Sequence, residues 1–99
     1  MKSYHLRKNF GISEEQYKYL LESQGGVCLI CKSPDSKMRG ARFAVDHDHR
    51  CCPGQKTCGN CIRGLLCHPC NRLLGQAGDD PDTLIKAAGY LLSYNFSKK

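Results

Sequence analysis

Asp46, His47, Asp48 and His49 occupy four consecutive positions, behind a short apolar run and directly before Arg50, Cys51 and Cys52. The Asp46 carboxylate is a hard oxygen ligand, suited to Mg²⁺ or Mn²⁺ rather than to a soft thiolate zinc. A neutral imidazole at His47 is suited to take a proton from water near pH 7. A carboxylate-held divalent cation beside an imidazole base is what phosphodiester hydrolysis requires: the cation neutralises the scissile phosphate and leaving oxygen, and the base creates the nucleophile. A lone histidine on a loop would by default cap a carbonyl. Two Asp–His pairs in tandem are denser than that reading favours.

The eight cysteines are the second reservoir of chemistry. Three C-x-x-C pairs stand at Cys28/Cys31, Cys58/Cys61 and Cys67/Cys70, and Cys51 with Cys52 completes the set. A C-x-x-C turn brings two sulfurs to one tetrahedral metal, and two such turns complete a structural Zn²⁺ site. Joining Cys28, Cys31, Cys67 and Cys70 is the favoured pairing, because the second pair falls where a strand meets a helix. The Asp–His cluster then lies inside the closed loop. Cys51, Cys52, Cys58 and Cys61 are left with three options: a second tetrathiolate zinc, packing as reduced thiols, or a local disulfide. No βαβ pattern surrounds any pair, which argues against a thioredoxin-like redox role.

These residues must be positioned by a small body. Ninety-nine residues without Trp and with three Phe make one domain near the lower limit for folding on a hydrophobic core alone, so a metal staple is expected. Ser13 with Gln16 forms a capping box for a helix over 14–23, carrying Tyr17, Leu20 and Leu21 on one face and stopped by Gly25–Gly26. "RFAV" at 42–45 predicts a short strand leading into the Asp–His cluster, and "IRGLL" at 62–66 a second one in which Gly64 marks a bulge or a close approach. A helix starts near His68–Pro69 and carries Asn71. Asp80 caps a last helix over about 81–94, with Pro81 at its first position and Leu84, Ala87, Ala88, Leu91 and Leu92 along one face. That face either covers the core or pairs with a second copy.

The formal charge of +6 favours a polyanionic partner, nucleic acid above all. The basic residues are scattered, from Lys2, Arg7 and Lys8 to Arg50, Lys56, Arg63, Arg72, Lys98 and Lys99. No apolar run follows the basic N-terminus and no stretch approaches the roughly 20 apolar residues of a membrane span. The expectation is a cytoplasmic domain that is neither secreted nor membrane-bound, where cysteines hold metal rather than disulfides.

Three motifs in order, "CLIC" at 28–31, "VDHDH" at 45–49 and "RGLLCHPCN" at 63–71, resemble the phage recombination endonuclease VII family, within the wider group of HNH, or ββα-metal, nucleases. The match covers roughly residues 13–78. The resemblance implies an α+β fold: a small zinc-stapled ββα-metal (HNH-type) finger flanked by helices, in a single domain over 1–99. It implies structural zinc on Cys28, Cys31, Cys67 and Cys70, catalytic Mg²⁺ on Asp46 and Asn71, His47 as general base, and His49 at the scissile phosphate. The implied activity is Mg²⁺- or Mn²⁺-dependent DNA cleavage of low sequence specificity, selective for branched or distorted DNA. Arg50, Arg63 and Arg72 are candidate phosphate contacts, and a homodimer through the C-terminal helix is a further expectation. Two features depart from the family: the cysteine-rich insertion at 50–61, and "RLL" at 72–74, which lacks the acidic residue that the family's junction resolvase has just past its Asn. A non-catalytic zinc module that binds nucleic acid is the alternative, although binding alone needs no D-H…N constellation. A disulfide-stapled protein–protein module is the more distant rival.

Overall fold

The computed structural model describes residues 10–52 and 58–98, the side chains of 95–98 excepted. The expectations for Lys2, Arg7, Lys8, Lys56, Lys99 and the Pro53–Gly54 turn lie outside the described residues. Within them stand three helices and a two-stranded antiparallel sheet: α1 (Glu14–Ser23), β1 (Ala44–His47), β2 (Ile62–Leu66), α2 (His68–Gln76) and α3 (Pro81–Lys98). The fold is small α+β.

Helix α1 begins on a reciprocal cap. The Ser13 hydroxyl accepts from Gln16 N–H at 3.1 Å while Gln16 Oε1 accepts from Ser13 N–H at 2.7 Å. Gly25 and Gly26 then leave the helix at φ +74° and +75°, a region glycine enters without steric cost. Between the two ends, Tyr17 is buried and its hydroxyl donates to Phe43 O at 3.3 Å.

That bond helps explain where β1 starts. The strand runs over 44–47 rather than 42–45: Phe43 O is taken by Tyr17, and Arg42 turns aside to pair with Glu14 at 2.8 Å and to lie 4.8 Å over the Tyr17 ring. The shift places Asp46 and His47 inside the strand. Helix α2 follows β2 after a single residue, Cys67, with Pro69 in its first turn, where a missing N–H costs nothing.

The core gathers Ile12, Tyr17, Phe43, Val45, Leu65 and Leu66 around the buried Cys28 and Cys67. Gln24 substitutes for a third strand. Its amide donates to Leu65 O at 2.9 Å and accepts from Leu65 N–H at 2.8 Å, so the outer edge of β2 is satisfied without another ladder. Gly64 is the close approach its position predicts: a Cβ there would meet Leu29 Cδ2 at 2.7 Å and Gln24 Oε1 at 3.3 Å.

Helix α3 starts where expected but runs to 98 rather than about 94, with Asp80 accepting from Asp82 N–H and the Thr83 hydroxyl at its start. Its apolar stripe does not cover the core. Leu84 is half-buried, while Ile85, Tyr90, Leu91, Leu92 and Tyr94 are exposed. No helix among the described residues is long and apolar enough to cross a membrane.

Candidate active site and metal centres

In a regular strand Asp46 and His47 would point to opposite faces of the sheet. In β1 the pairing slips between them: Asp46 lies opposite Gly64, and His47 opposite Ile62. The residue passed over is Arg63, so β2 is the strand that carries the extra residue, and Arg63 turns onto Asp46. Asp46 and His47 are both buried, and both line one cavity of about 520 Å³ together with His49 and Asn71. Asn71 arrives from α2, its N–H bonded to Cys67 O at 3.0 Å.

His47 is held by its far nitrogen. Its Nε2 lies 2.9 Å from Cys52 O, and a carbonyl only accepts, so Nε2 carries the proton. In the neutral ring the basic lone pair is therefore on Nδ1. The His49 ring lies 4.4 Å from that of His47, tilted by 47°. Asp48 serves the turn: it accepts from Arg50 N–H at 2.9 Å and pairs with the Arg50 side chain at 3.2 Å. The Arg50 guanidinium holds the Asp48 carboxyl below its ordinary value, with the Arg50 N–H as a second cause.

The Asp46 carboxylate faces Arg63, whose Nε and Nη2 donate to it at 2.8 and 3.0 Å; the same Nη2 donates to Asp79 at 3.0 Å. Donating hydrogen bonds to the two carboxylates, Asp46 first and then Asp79, pushes the Arg63 guanidinium upward from its ordinary value. A carboxylate offers about four lone-pair sites and this fork uses two, so Asp46 keeps acceptor capacity toward a cation. The Asp46 carboxylate and the Asn71 amide oxygen are both hard donors, of the type Mg²⁺ or Mn²⁺ takes, and both residues line the cavity.

Two sets of four cysteines each bring their sulfurs within 4.8 Å of one another: Cys28, Cys31, Cys67 and Cys70, and Cys51, Cys52, Cys58 and Cys61. Zn–S bonds of about 2.3 Å imply sulfur–sulfur edges of about 3.8 Å in a tetrahedron. The observed Cys31–Cys67 and Cys51–Cys58 separations are 3.6 and 3.8 Å. Both groups could therefore hold zinc.

In the first group, burial works against ionisation of Cys28, but N–H groups of Cys67, Cys31 and Ile30 outweigh it and draw the thiol down to about 6. Cys70 is pushed up to about 12 by burial and by its bonds to neighbouring sulfurs. In the second group the Asn60 N–H and the thiols of Cys52 and Cys51 draw Cys58 down to about 7, and bonding to Cys61, Cys58 and Cys52 pushes Cys51 up to about 12.

Asp46, His47, His49 and Asn71 are thus brought to one cavity, and the cysteines fall into the two expected sets. Arg50, Arg63 and Arg72 are all exposed; Arg63 in addition pairs with Asp46 and Asp79. Sequence reasoning missed the Arg63–Asp46 pair and the Cys52 carbonyl. The alternation of β2 places Arg63 opposite to its neighbours, but only the strand register shows what it meets.

The chain matches the model of the recombination endonuclease VII family over residues 3–93. It is 40% identical over 83 residues to the gene 59 protein of Mycobacterium phage D29, covering 83% of this chain and 44% of that one. With the gene 59 protein of Mycobacterium phage L5 it shares 38% over 85 residues, 85% of this chain and 46% of the relative. It spans less than half the length of either. No solved structure gives a significant match. The matched model takes in the C-L-I-C, D-H-D-H and C-H-P-C-N segments together, and the chain belongs to the recombination endonuclease VII family.

Proposed function

We propose that this chain is a DNA endonuclease of the HNH, ββα-metal type, forming one domain over 1–99 with its core in about 13–78. The observation that carries this reading is the convergence of Asp46, His47, His49 and Asn71 on one cavity in a chain of the endonuclease VII family. The His47 Nδ1 lone pair takes a proton from a water molecule. That water's oxygen attacks phosphorus in line as the P–O bond to the leaving 3′-oxygen breaks. Mg²⁺ or Mn²⁺ held by Asp46 and Asn71 supplies charge neutralisation at the phosphate and the leaving oxygen.

Asn71 follows the zinc ligand Cys70 directly, so a structural zinc on Cys28, Cys31, Cys67 and Cys70 fixes where α2 presents its amide. His49 contacts the scissile phosphate. Arg50 and Arg72 meet flanking phosphates, as does Arg63 through the Nη1 group that lies outside its bonds to Asp46 and Asp79. Phosphate contacts position DNA without reading sequence, which supports low sequence specificity; selectivity for branched or distorted DNA is a further part of this proposal, tested by the substrates below. The reduced thiols fit the cytoplasm, and the exposed stripe of α3 is where a homodimer would form.

The test is cleavage of linear, supercoiled, mismatched and four-way DNA with Mg²⁺ or Mn²⁺, by wild type and by His47→Ala. Cutting by wild type and its loss in the variant are expected. No cutting, or equal cutting by both, would overturn the nuclease reading in favour of a binding module.

A further inference from the structure

We propose that Cys51, Cys52, Cys58 and Cys61 bind a second zinc ion whose task is to hold the Cys52 carbonyl against His47, so that the insertion at 50–61 is a metal-locked positioning device for the general base. The positioning role rests on the proposed nuclease function; the metal site does not.

Among the described residues from 48 to 61 none is buried, so hydrogen bonds and sulfur contacts, rather than an apolar core, position them. Asp48 O accepts from Cys51 N–H at 3.0 Å and from Cys52 N–H at 3.1 Å, which presents two adjacent cysteines from one tight turn. Cys58 N–H lies 3.3 Å from Cys52 Sγ, and Cys51 Sγ lies 4.0 Å from Cys52 Sγ and 3.8 Å from Cys58 Sγ.

These separations match the edge of a tetrathiolate zinc site and are far longer than the roughly 2.05 Å of a disulfide. The chemistry of four soft donors selects zinc over the hard cation of the neighbouring cavity. The return limb of the insertion is fitted against the N-terminal segment: Gly59, at φ +91°, lies so close to Gly11 that a Cβ on it would meet Gly11 O at 2.5 Å. Asp48 N–H donating to Cys61 O at 2.9 Å ties the fourth ligand to the end of β1.

Cys52 is the hinge of the device, since one residue supplies a sulfur to the cluster and a carbonyl to His47 Nε2. Fixing that sulfur restricts the Cys52 backbone, which holds the imidazole with Nε2 protonated and Nδ1 basic. Cys52 is thus a positioning residue, reaching the reacting atoms only through His47.

Native mass spectrometry of the full chain after loading with zinc should count two ions in wild type and one in Cys58→Ser. Cys58→His, which keeps a zinc ligand, should restore the second. In nitrogen-15 NMR, His47 should show the Nε2-protonated form in wild type and Cys58→His, and lose that preference in Cys58→Ser. If the chain cuts DNA, Cys58→Ser should lower kcat by about 10- to 100-fold with KM for DNA little changed, and Cys58→His should recover it. Circular dichroism and the retained first zinc verify that Cys58→Ser is folded. One zinc in wild type, or a Cys58→Ser protein with the His47 signature of wild type, overturns the proposal. Two zinc ions and the His47 signature without any cleavage would instead remove the nuclease reading and leave the metal-held imidazole standing.

Discussion

Arg63→Gln is the most informative perturbation of the charge arrangement around Asp46. The Asp46 side chain is 7% exposed and that of Arg63 39%. Removing one partner of a fully buried pair costs about 3–5 kcal/mol, because the other charge is left uncompensated. Solvent reaches the guanidinium and screens part of the interaction, so a loss of about 1–3 kcal/mol is expected. In a domain of this size each kcal/mol moves Tm by about 4–8 °C. The same substitution exposes the carboxylate to a competing cation. Mg²⁺ should therefore stabilise Arg63→Gln more than wild type; a cation at 100 times its Kd contributes about 2.7 kcal/mol. The assay is thermal unfolding of zinc-saturated wild type and variant across a Mg²⁺ titration, with Asp46→Asn in the Arg63→Gln background as control. An Arg63→Gln protein within about 0.5 kcal/mol of wild type would refute the pairing argument. Equal Mg²⁺ stabilisation of the two proteins would refute the idea that guanidinium and cation compete for Asp46.

Gln24→Leu should cost about 1–3 kcal/mol in urea unfolding, since Leu65 N–H loses its partner in the interior and Leu65 O keeps only the Leu29 N–H; a change under about 0.5 kcal/mol would show that water replaces the amide. Gly59→Ala combines a positive φ with a backbone clash against Gly11, so it should destabilise by about 1–3 kcal/mol, whereas Gly75→Ala, where nothing lies within 4 Å of the added carbon, should be neutral or stabilising. In metal-stripped protein the Cys28 thiolate should persist down to about pH 6. A depressed thiol stabilises the fold above its unfolded value near 9 and loses that contribution as pH falls through about 6, so unfolding free energy should decline over that window. Thiolate absorbance of Cys31→Ser/Cys67→Ser/Cys70→Ser protein isolates Cys28: the backbone N–H groups at 67, 31 and 30 are retained, so its midpoint should stay well below 9, and a return to 9 would contradict that cause.

The legible parts of the fold are those with local causes. Ser13 and Gln16, Gly25 and Gly26, and Asp80 with Pro81 each mark a helix boundary through a bond or a φ preference made within a few residues. Helix α1 and strand β2 accordingly fall at 14–23 and 62–66 as the sequence predicts. The start of β1 is displaced because Phe43 O and Arg42 are claimed by Tyr17 and Glu14, partners more than 25 positions away in the chain. The stripe on α3 is legible as a helix face, yet the pattern of Leu and Ala carries no information on what it packs against, and most of it faces outward.

The candidate site divides along the same line. Residue chemistry and spacing alone separated hard donors from soft ones, set Asp46 and His47 apart from the cysteines, and sorted eight thiols into two groups of four. Strict alternation along a strand would nonetheless have sent Asp46 and His47 to opposite faces. Only the tertiary structure shows that both line one cavity with His49 and Asn71, and that β2 carries Arg63 as an extra residue between Gly64 and Ile62. It also decided that Arg63 pairs with Asp46 and that a carbonyl of the cysteine insertion holds His47. Each of these contacts joins segments distant in sequence or is set by a backbone turn, and no local preference of the side chains involved encodes it.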